Sequence, residues 1–293
     1  MDAYYDQSTF DAGTAAADAI SKQMPELNYQ IYAGDEAQKR FRVSTSCVGA
    51  IVYSAAQLSS YKFVTQVVEM LVKNGINLQT ETPVTRINST HDKSQWIIET
   101  SQGNIVTPHV VHATNGYAQY LLPSFESRIK PTRGFMTAQV PPKNLLKPQL
   151  GRSYSLIYGT GDKFDYLIQQ PPSYRGMLML GGGLHQDPHP NTFNDAEIPD
   201  SLKSYLRNQL PKVLCWGDED SRRRLHMCWC GIMGFSKDEV PWVGAVPESI
   251  GGGTGQWICA GYTGDGTVCF WPSNIRNDKC PALCRGFSND DSR

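Results

Sequence analysis

His109-Val-Val-His-Ala-Thr-Asn-Gly-Tyr117 is the stretch whose reading decides the fold. Val110 to Ala113 reads as a short apolar strand, and it ends on a turn of small residues, Thr114-Asn115-Gly116. Such a turn lets backbone come close to a ligand, because little side-chain bulk stands in the way. Alone the pattern is weak, and its neighbours give it meaning.

Before it, residues 61–72 place apolar side chains at 63, 64, 67, 68, 71 and 72, the stripe of an amphipathic helix. Gly75 follows as a natural C′ residue. Ile76 to Thr80 alternates as a strand would, and Pro83-Val-Thr-Arg-Ile87 reads as another. Trp96 to Thr100 and Asn104 to Thr107 form two strands around the turn Ser101-Gln-Gly103. Residues 61 to 116 thus run helix, strand, small antiparallel meander, returning strand. Nearer the N-terminus, Ala-rich Asp11 to Ile20 and Glu36 to Phe41 read as helices, and Val48 to Tyr53 as a strand.

Beyond Leu122-Pro123 the texture changes. Prolines cluster, and short strands sit between them at 134–140, 154–158, 166–170 and 177–181, an antiparallel sheet region. Residues 198–210 carry a helical stripe that Pro211 is expected to end. Strand signals return at 225–230, 241–246 and 257–260. From Val268 the tail shows no periodicity, and disorder is expected there.

The composition bounds the function. The chain has 293 residues, 40% of them apolar, and a net charge of -1. That balance suggests neither a nucleic-acid footprint nor a membrane span, so no nucleic acid and no membrane partner is expected. The first 21 residues carry Asp2, Asp6 and Asp11 but no Lys or Arg, the wrong chemistry for a leader, so the cytosol is the expected compartment. Eight cysteines include no Cys-x-x-Cys pair, and most are expected to be reduced thiols.

Several chemistries lack their motif. No Gly-x-Gly-x-x-Gly, P-loop or Gly-x-Ser-x-Gly is present. His109 and His112 point to opposite faces of a strand, His185 and His189 flank Asp187 in a Pro-rich loop, and no metal is expected. Gly261-Tyr-Thr-Gly-Asp-Gly-Thr267 follows a strand, as a loop opening a helix toward an anion would.

Four segments then fall in one order: the 61–72 helix with Val84-Thr-Arg-Ile87; Val110 to Gly116; Trp229-x-Gly231 with Gly234-Phe-Ser-x-Asp238 and Pro241-x-x-Gly244; and Ala260 to Gly266. Together they resemble the FAD-dependent oxidoreductases of the D-amino acid oxidase superfamily, over roughly residues 30 to 267. The resemblance implies α/β plus α+β architecture: an incomplete FAD-binding Rossmann-like domain with an antiparallel-sheet substrate domain. It divides the chain into 1–122 and 229–267 for the FAD-binding part, 123–228 for the substrate part, and the tail 268–293. It implies FAD as cofactor, held by Val84 beside the adenine, by Thr114, Asn115 and Gly116 near the ribose and pyrophosphate, and by Gly261, Tyr262, Thr263, Gly264, Gly266 and Thr267 over the flavin. Arg133, in a recurrent Arg-Gly, is the implied catalytic candidate. The implied reaction is oxidation of a C–N bond in a small-molecule amine or amino acid by hydride transfer to flavin. Oligomeric state is left open.

The chain also departs from that pattern. The family opens on a βαβ unit carrying Gly-x-Gly-x-x-Gly, which has no counterpart here, and Pro272 forbids a full helix after Thr267. Both ends therefore read as cut, and a cofactor-free remnant, acting as a binding protein or inactive, is the alternative expectation. Some members hold flavin through a Cys near Trp-x-Gly. Cys230 stands about one residue out of register, so covalent attachment is not expected.

Overall fold

The computed structural model describes residues 1–217 and 224–266. The expected disorder of 268–293 falls outside them. In chain order the elements are β1 (Asp2–Tyr4), α1 (Gln7–Gln23), β2 (Gln30–Ala33), α2 (Gly34–Phe41), β3 (Gly49–Val52), α3 (Ser60–Lys73), β4 (Val84–Ser89), β5 (Trp96–Thr100), β6 (Gly103–Thr107) and β7 (Val110–His112). They continue with α4 (Ala118–Leu121), β8 (Ile129–Gln139), α5 (Lys143–Leu146), β9 (Tyr154–Ile157), β10 (Phe164–Gln169), β11 (Leu178–Gly182), α6 (Asp200–Val213), β12 (Leu225–Ser236), β13 (Trp242–Ala245) and β14 (Gln256–Ala260). No helix among the described residues is long and apolar enough to cross a membrane.

Two compact units share these elements. Of the described residues, unit 1 takes Met1–Ser59, Gly134–Pro190 and those within 195–231, and unit 2 takes Ser60–Arg133, Asn191–Asn194 and 232–266. These divisions differ from the expected ranges 1–122, 123–228 and 229–267, because the first 59 residues group with residues 134–190. The reason is β1, a three-residue strand too short to show in the pattern. It pairs antiparallel with β3 and parallel with β9, register Ala3 to Ala50 and Ala3 to Leu156.

Unit 1 is built on a mixed sheet in the order β12-β8-β11-β10-β9-β1-β3-β2. Alternation along β8 and β11 puts Phe135, Thr137, Leu178 and Leu180 in the core. Over them lies α6, which buries Leu202, Leu206, Leu210 and Val213. Gln139 ties the sheet to that helix, donating through Nε2 to Leu206 O at 2.9 Å. Pro211 does not end α6: the helix runs two residues further, and Leu214 N–H closes the last turn on Leu210 O at 3.0 Å. α1 starts where Asp6 accepts from Thr9 N–H at 2.9 Å, an ordinary side-chain N-cap.

Unit 2 holds two three-stranded sheets, β4-β5-β6 and β13-β14-β7. The first is the antiparallel meander that the turn residues predict. In the second, β7 runs parallel to β14, with Val110 beside Gln256 and His112 beside Ile258. A small core of Leu122, Phe125, Ile129, Trp242, Val246 and Ile258 packs beneath. The expected strand at Ile76 to Thr80 is absent. Ile76 N–H closes the end of α3 on Leu71 O at 3.1 Å, and Ile76 and Leu78 stand half in solvent with no neighbouring strand to pair.

Candidate functional site

Parallel pairing of β7 with β14 sets the site. Both strands end at the same edge, so the segments that follow, Thr114–Tyr117 and Gly261–Gly266, emerge together at their carboxyl ends. Open α/β sheets bind ligands at that edge. Asn115 joins the two segments. It adopts φ 44°, a left-handed conformation that Asn tolerates better than most residues, and its Oδ1 accepts from Gly261 N–H at 2.9 Å. The third wall is β12: Thr263 N–H donates to Gly234 O at 2.8 Å, and Ser236 N–H donates to Thr263 Oγ1 at 3.1 Å. Tyr262 pairs with Phe235 as an isolated bridge.

Two glycines permit this closeness. A Cβ on Gly116 would stand 2.8 Å from Met233 O, and one on Gly234 would stand 2.5 Å from Asn115 Oδ1 and 2.9 Å from Gly116 N. Both positions meet backbone or its direct ligand, which cannot swing aside, so only glycine fits.

Beside this clamp, Val84 and Thr114 line one cleft of about 730 Å³ with Tyr117, Gln119, Tyr120 and Phe193. Its walls are mostly apolar and aromatic, the usual character of a small-molecule site of this size. Tyr117 and Phe193 stack with ring centroids 5.2 Å apart. Thr114 Oγ1 and Gln119 Oε1 are buried without a hydrogen-bond partner within the described residues. Buried polar atoms are ordinarily bonded, so two orphans in one cleft are places where a ligand's polar atoms would be accommodated.

The expected site residues therefore separate. Val84 and Thr114 share the cleft, while Asn115, Gly116, Gly261, Tyr262 and Thr263 meet in the clamp. Gly264 sits in the turn that Asp265 N–H closes on Tyr262 O at 2.9 Å, and Gly266 follows it. Thr267 lies outside the described residues. Arg133 is in β8, only 6% exposed, so it is not a surface arginine; it does not line the cleft. Tyr117, Gln119, Phe193 and Gly234 are candidates that the sequence reading did not single out as site residues. Tyr117 and Gly234 lay within the quoted segments, whereas Phe193 comes from a Pro-rich stretch with no periodicity to mark it.

His112, at the end of β7, is 2% exposed, and its Nε2 has no partner within the described residues. Burial lowers its pKa, favouring the neutral ring.

The family described as FAD dependent oxidoreductase (DAO) matches residues 2–272. No curated protein matches by sequence. Among solved structures, glycine oxidase from Geobacillus kaustophilus superposes with a TM-score of 0.70 at 18% identity, covering 90% of this chain and 65% of that one. Glycine oxidase from Bacillus cereus gives 0.69 at 18% identity, with 90% and 66% covered. Iminodiacetate oxidase from Chelativorans sp. gives 0.68 at 13% identity, with 90% and 66% covered. At such identities the likeness is one of fold, and the chain spans just under two thirds of the length of these structures.

Proposed function

The chain belongs to the family of FAD-dependent oxidoreductases, and from that premise we propose that it acts in the oxidation of a C–N bond in a small amine or amino acid, with FAD as cofactor. The observation that carries this is the Asn115 clamp at the carboxyl ends of β7 and β14, set beside a cleft with an orphaned Thr114 hydroxyl.

The residues present fit part of an FAD. Glycine at 116 and 234 leaves backbone closely approached, apolar walls at Val84 and Tyr117 suit a flat ring, and the Thr114 hydroxyl offers a donor and an acceptor. In this reading Val84, Thr114 and the clamp hold the dinucleotide, and the Gly261–Thr263 loop covers it. The chemistry that FAD supplies when bound is acceptance of a hydride from the substrate carbon. The protein's part is to bind, orient and exclude water. No protein base is obligatory for hydride transfer. Arg133 is the candidate for a two-pronged hold on a substrate carboxylate.

A second reading is favoured by α3. None of its residues is buried, and Tyr61 is 79% exposed. An apolar face left in water is a place where a structural partner belongs. In that reading this chain by itself does not hold FAD and has no turnover.

The test is to saturate the purified chain with FAD, remove oxygen, and add amines and amino acids singly. Bleaching of the visible flavin band by at least one of them supports the oxidase reading. A bound flavin that none of them reduces contradicts it.

A further inference from the structure

Gln170-Pro-Pro-Ser-Tyr-Arg-Gly176 connects β10 to β11 in unit 1, and it borders a cleft of about 460 Å³. That size lies within the range, roughly 300–1,000 Å³, of clefts that take small organic ligands. Met177, Met179 and Met227 line the cleft together with the rings of Tyr174 and Trp229. Thioethers and aromatic rings make an adaptable, polarisable surface for a flat apolar body. Tyr174, Met227 and Trp229 are exposed large apolar groups brought to one place from two separate segments.

The loop is fixed before anything binds. Tyr174 N–H donates to Pro171 O and Arg175 N–H to Pro172 O, both at 2.9 Å, and Gly176 N–H donates to Pro171 O at 3.2 Å. From below, the buried Gln169 donates through Nε2 to Gly176 O at 3.0 Å, and Gln149 Nε2 donates to Gln170 O at 2.9 Å. Arg175 is held at φ 61°, in the left-handed region where a side chain other than glycine or asparagine is strained. Its guanidinium has neither an ion pair nor a side-chain hydrogen bond within the described residues, and none of the described lining residues is acidic. His226 is the other titratable lining group that can carry positive charge.

An apolar, aromatic floor beside a guanidinium that no described residue neutralises, on a prebuilt loop, has a definite complement. We propose that this cleft binds an arylalkyl carboxylate, with the ring on the Met179–Met227–Trp229 surface and the carboxylate on Arg175. Guanidinium and carboxylate match as planar, two-pronged partners, and the fixed loop reduces the ordering that binding would otherwise require. The site lies within unit 1 and does not depend on the FAD reading of unit 2.

Phenylacetate and its uncharged analogue phenylacetamide test this on the full chain by calorimetry and tryptophan fluorescence. The expected result is saturable phenylacetate binding, with the amide weaker by at least about tenfold for loss of a charge-assisted pair. Arg175→Gln should bring the two ligands to the same affinity, Arg175→Lys should restore part of the difference, and Trp229→Ala should weaken both alike. Arg175→Gly accepts the left-handed backbone without strain, so it gives the same readout if glutamine disturbs the loop. The proposal is overturned by a folded chain that binds neither ligand, by equal affinity for the two, or by discrimination that survives both Arg175→Gln and Arg175→Gly. Unchanged binding in Trp229→Ala would equally overturn it, because the ring would then lie elsewhere.

Discussion

Helices α6 and α3 are both 14 residues long and both amphipathic, yet they end in opposite situations. In unit 1, α6 buries Leu202, Leu206, Leu210 and Val213 on the large sheet. In unit 2, no residue of α3 is buried among the described residues, and Val64, Met70, Leu71 and Val72 remain exposed. Periodicity in sequence tells that a helix has an apolar face. It does not tell whether the same chain supplies what covers it. Strand β7 repeats the lesson: it is an edge strand of its sheet, and Val111 is 63% exposed.

Breaking the well-covered unit should have the largest effect. Asp165 is fully buried there, and it accepts from Tyr205 OH at 2.8 Å, Tyr158 OH at 3.0 Å and Gly183 N–H at 2.8 Å. Asp165→Ala leaves one buried and two part-buried donors without this acceptor, and a loss of about 3 kcal/mol in a urea melt is expected after allowing for the removed charge. Burial raises the Asp165 pKa in spite of those three bonds. A carboxylate raised on folding contributes stability that is full below its unfolded value and is lost as pH rises through the folded one. Asp165→Asn should therefore flatten a decline in unit 1 stability above the ordinary carboxylate range; an unchanged pH profile would contradict the assignment.

In unit 2 the corresponding titration runs the other way. Burial lowers the His112 pKa on folding, so the unfolded chain binds the proton more readily. The contribution is full above the ordinary histidine value and falls away as pH drops through it toward the folded value. Urea midpoints compared between about pH 5 and pH 8 should show that loss in the wild type and not in His112→Leu.

The smallest effect belongs to α3. Val64→Lys with Met70→Lys should change unfolding free energy by less than about 0.5 kcal/mol, the scale of surface substitutions, while lowering self-association seen by light scattering. A large loss of stability would mean that the face is covered after all.

Much of this was legible. The 3-and-4 spacing of 61–72 fixed α3, the turn Ser101-Gln-Gly103 fixed the β5–β6 hairpin, and the small residues at 114–116 marked the turn that follows β7. What sequence could not show is non-local. The Asn115–Gly261 bond spans 146 residues, β1 is three residues long, and Phe193 reaches the Tyr117 ring from a stretch without periodicity. Ile76 to Thr80 misled for the same reason: alternation is a local property, whereas a strand needs a neighbour to pair with.

Whether the clamp holds FAD can be measured directly. Equilibrium titration of the purified chain with FAD, followed by flavin fluorescence, should give saturable one-to-one binding. Gly234→Ala, by driving a Cβ against Asn115 Oδ1 and Gly116 N, should weaken that binding by roughly tenfold or more, the equivalent of 1–3 kcal/mol of overpacking, while the unit 1 melt stays in place. A folded wild-type chain that takes up no FAD, or a Gly234→Ala variant that binds it equally well, would contradict the assignment of this site.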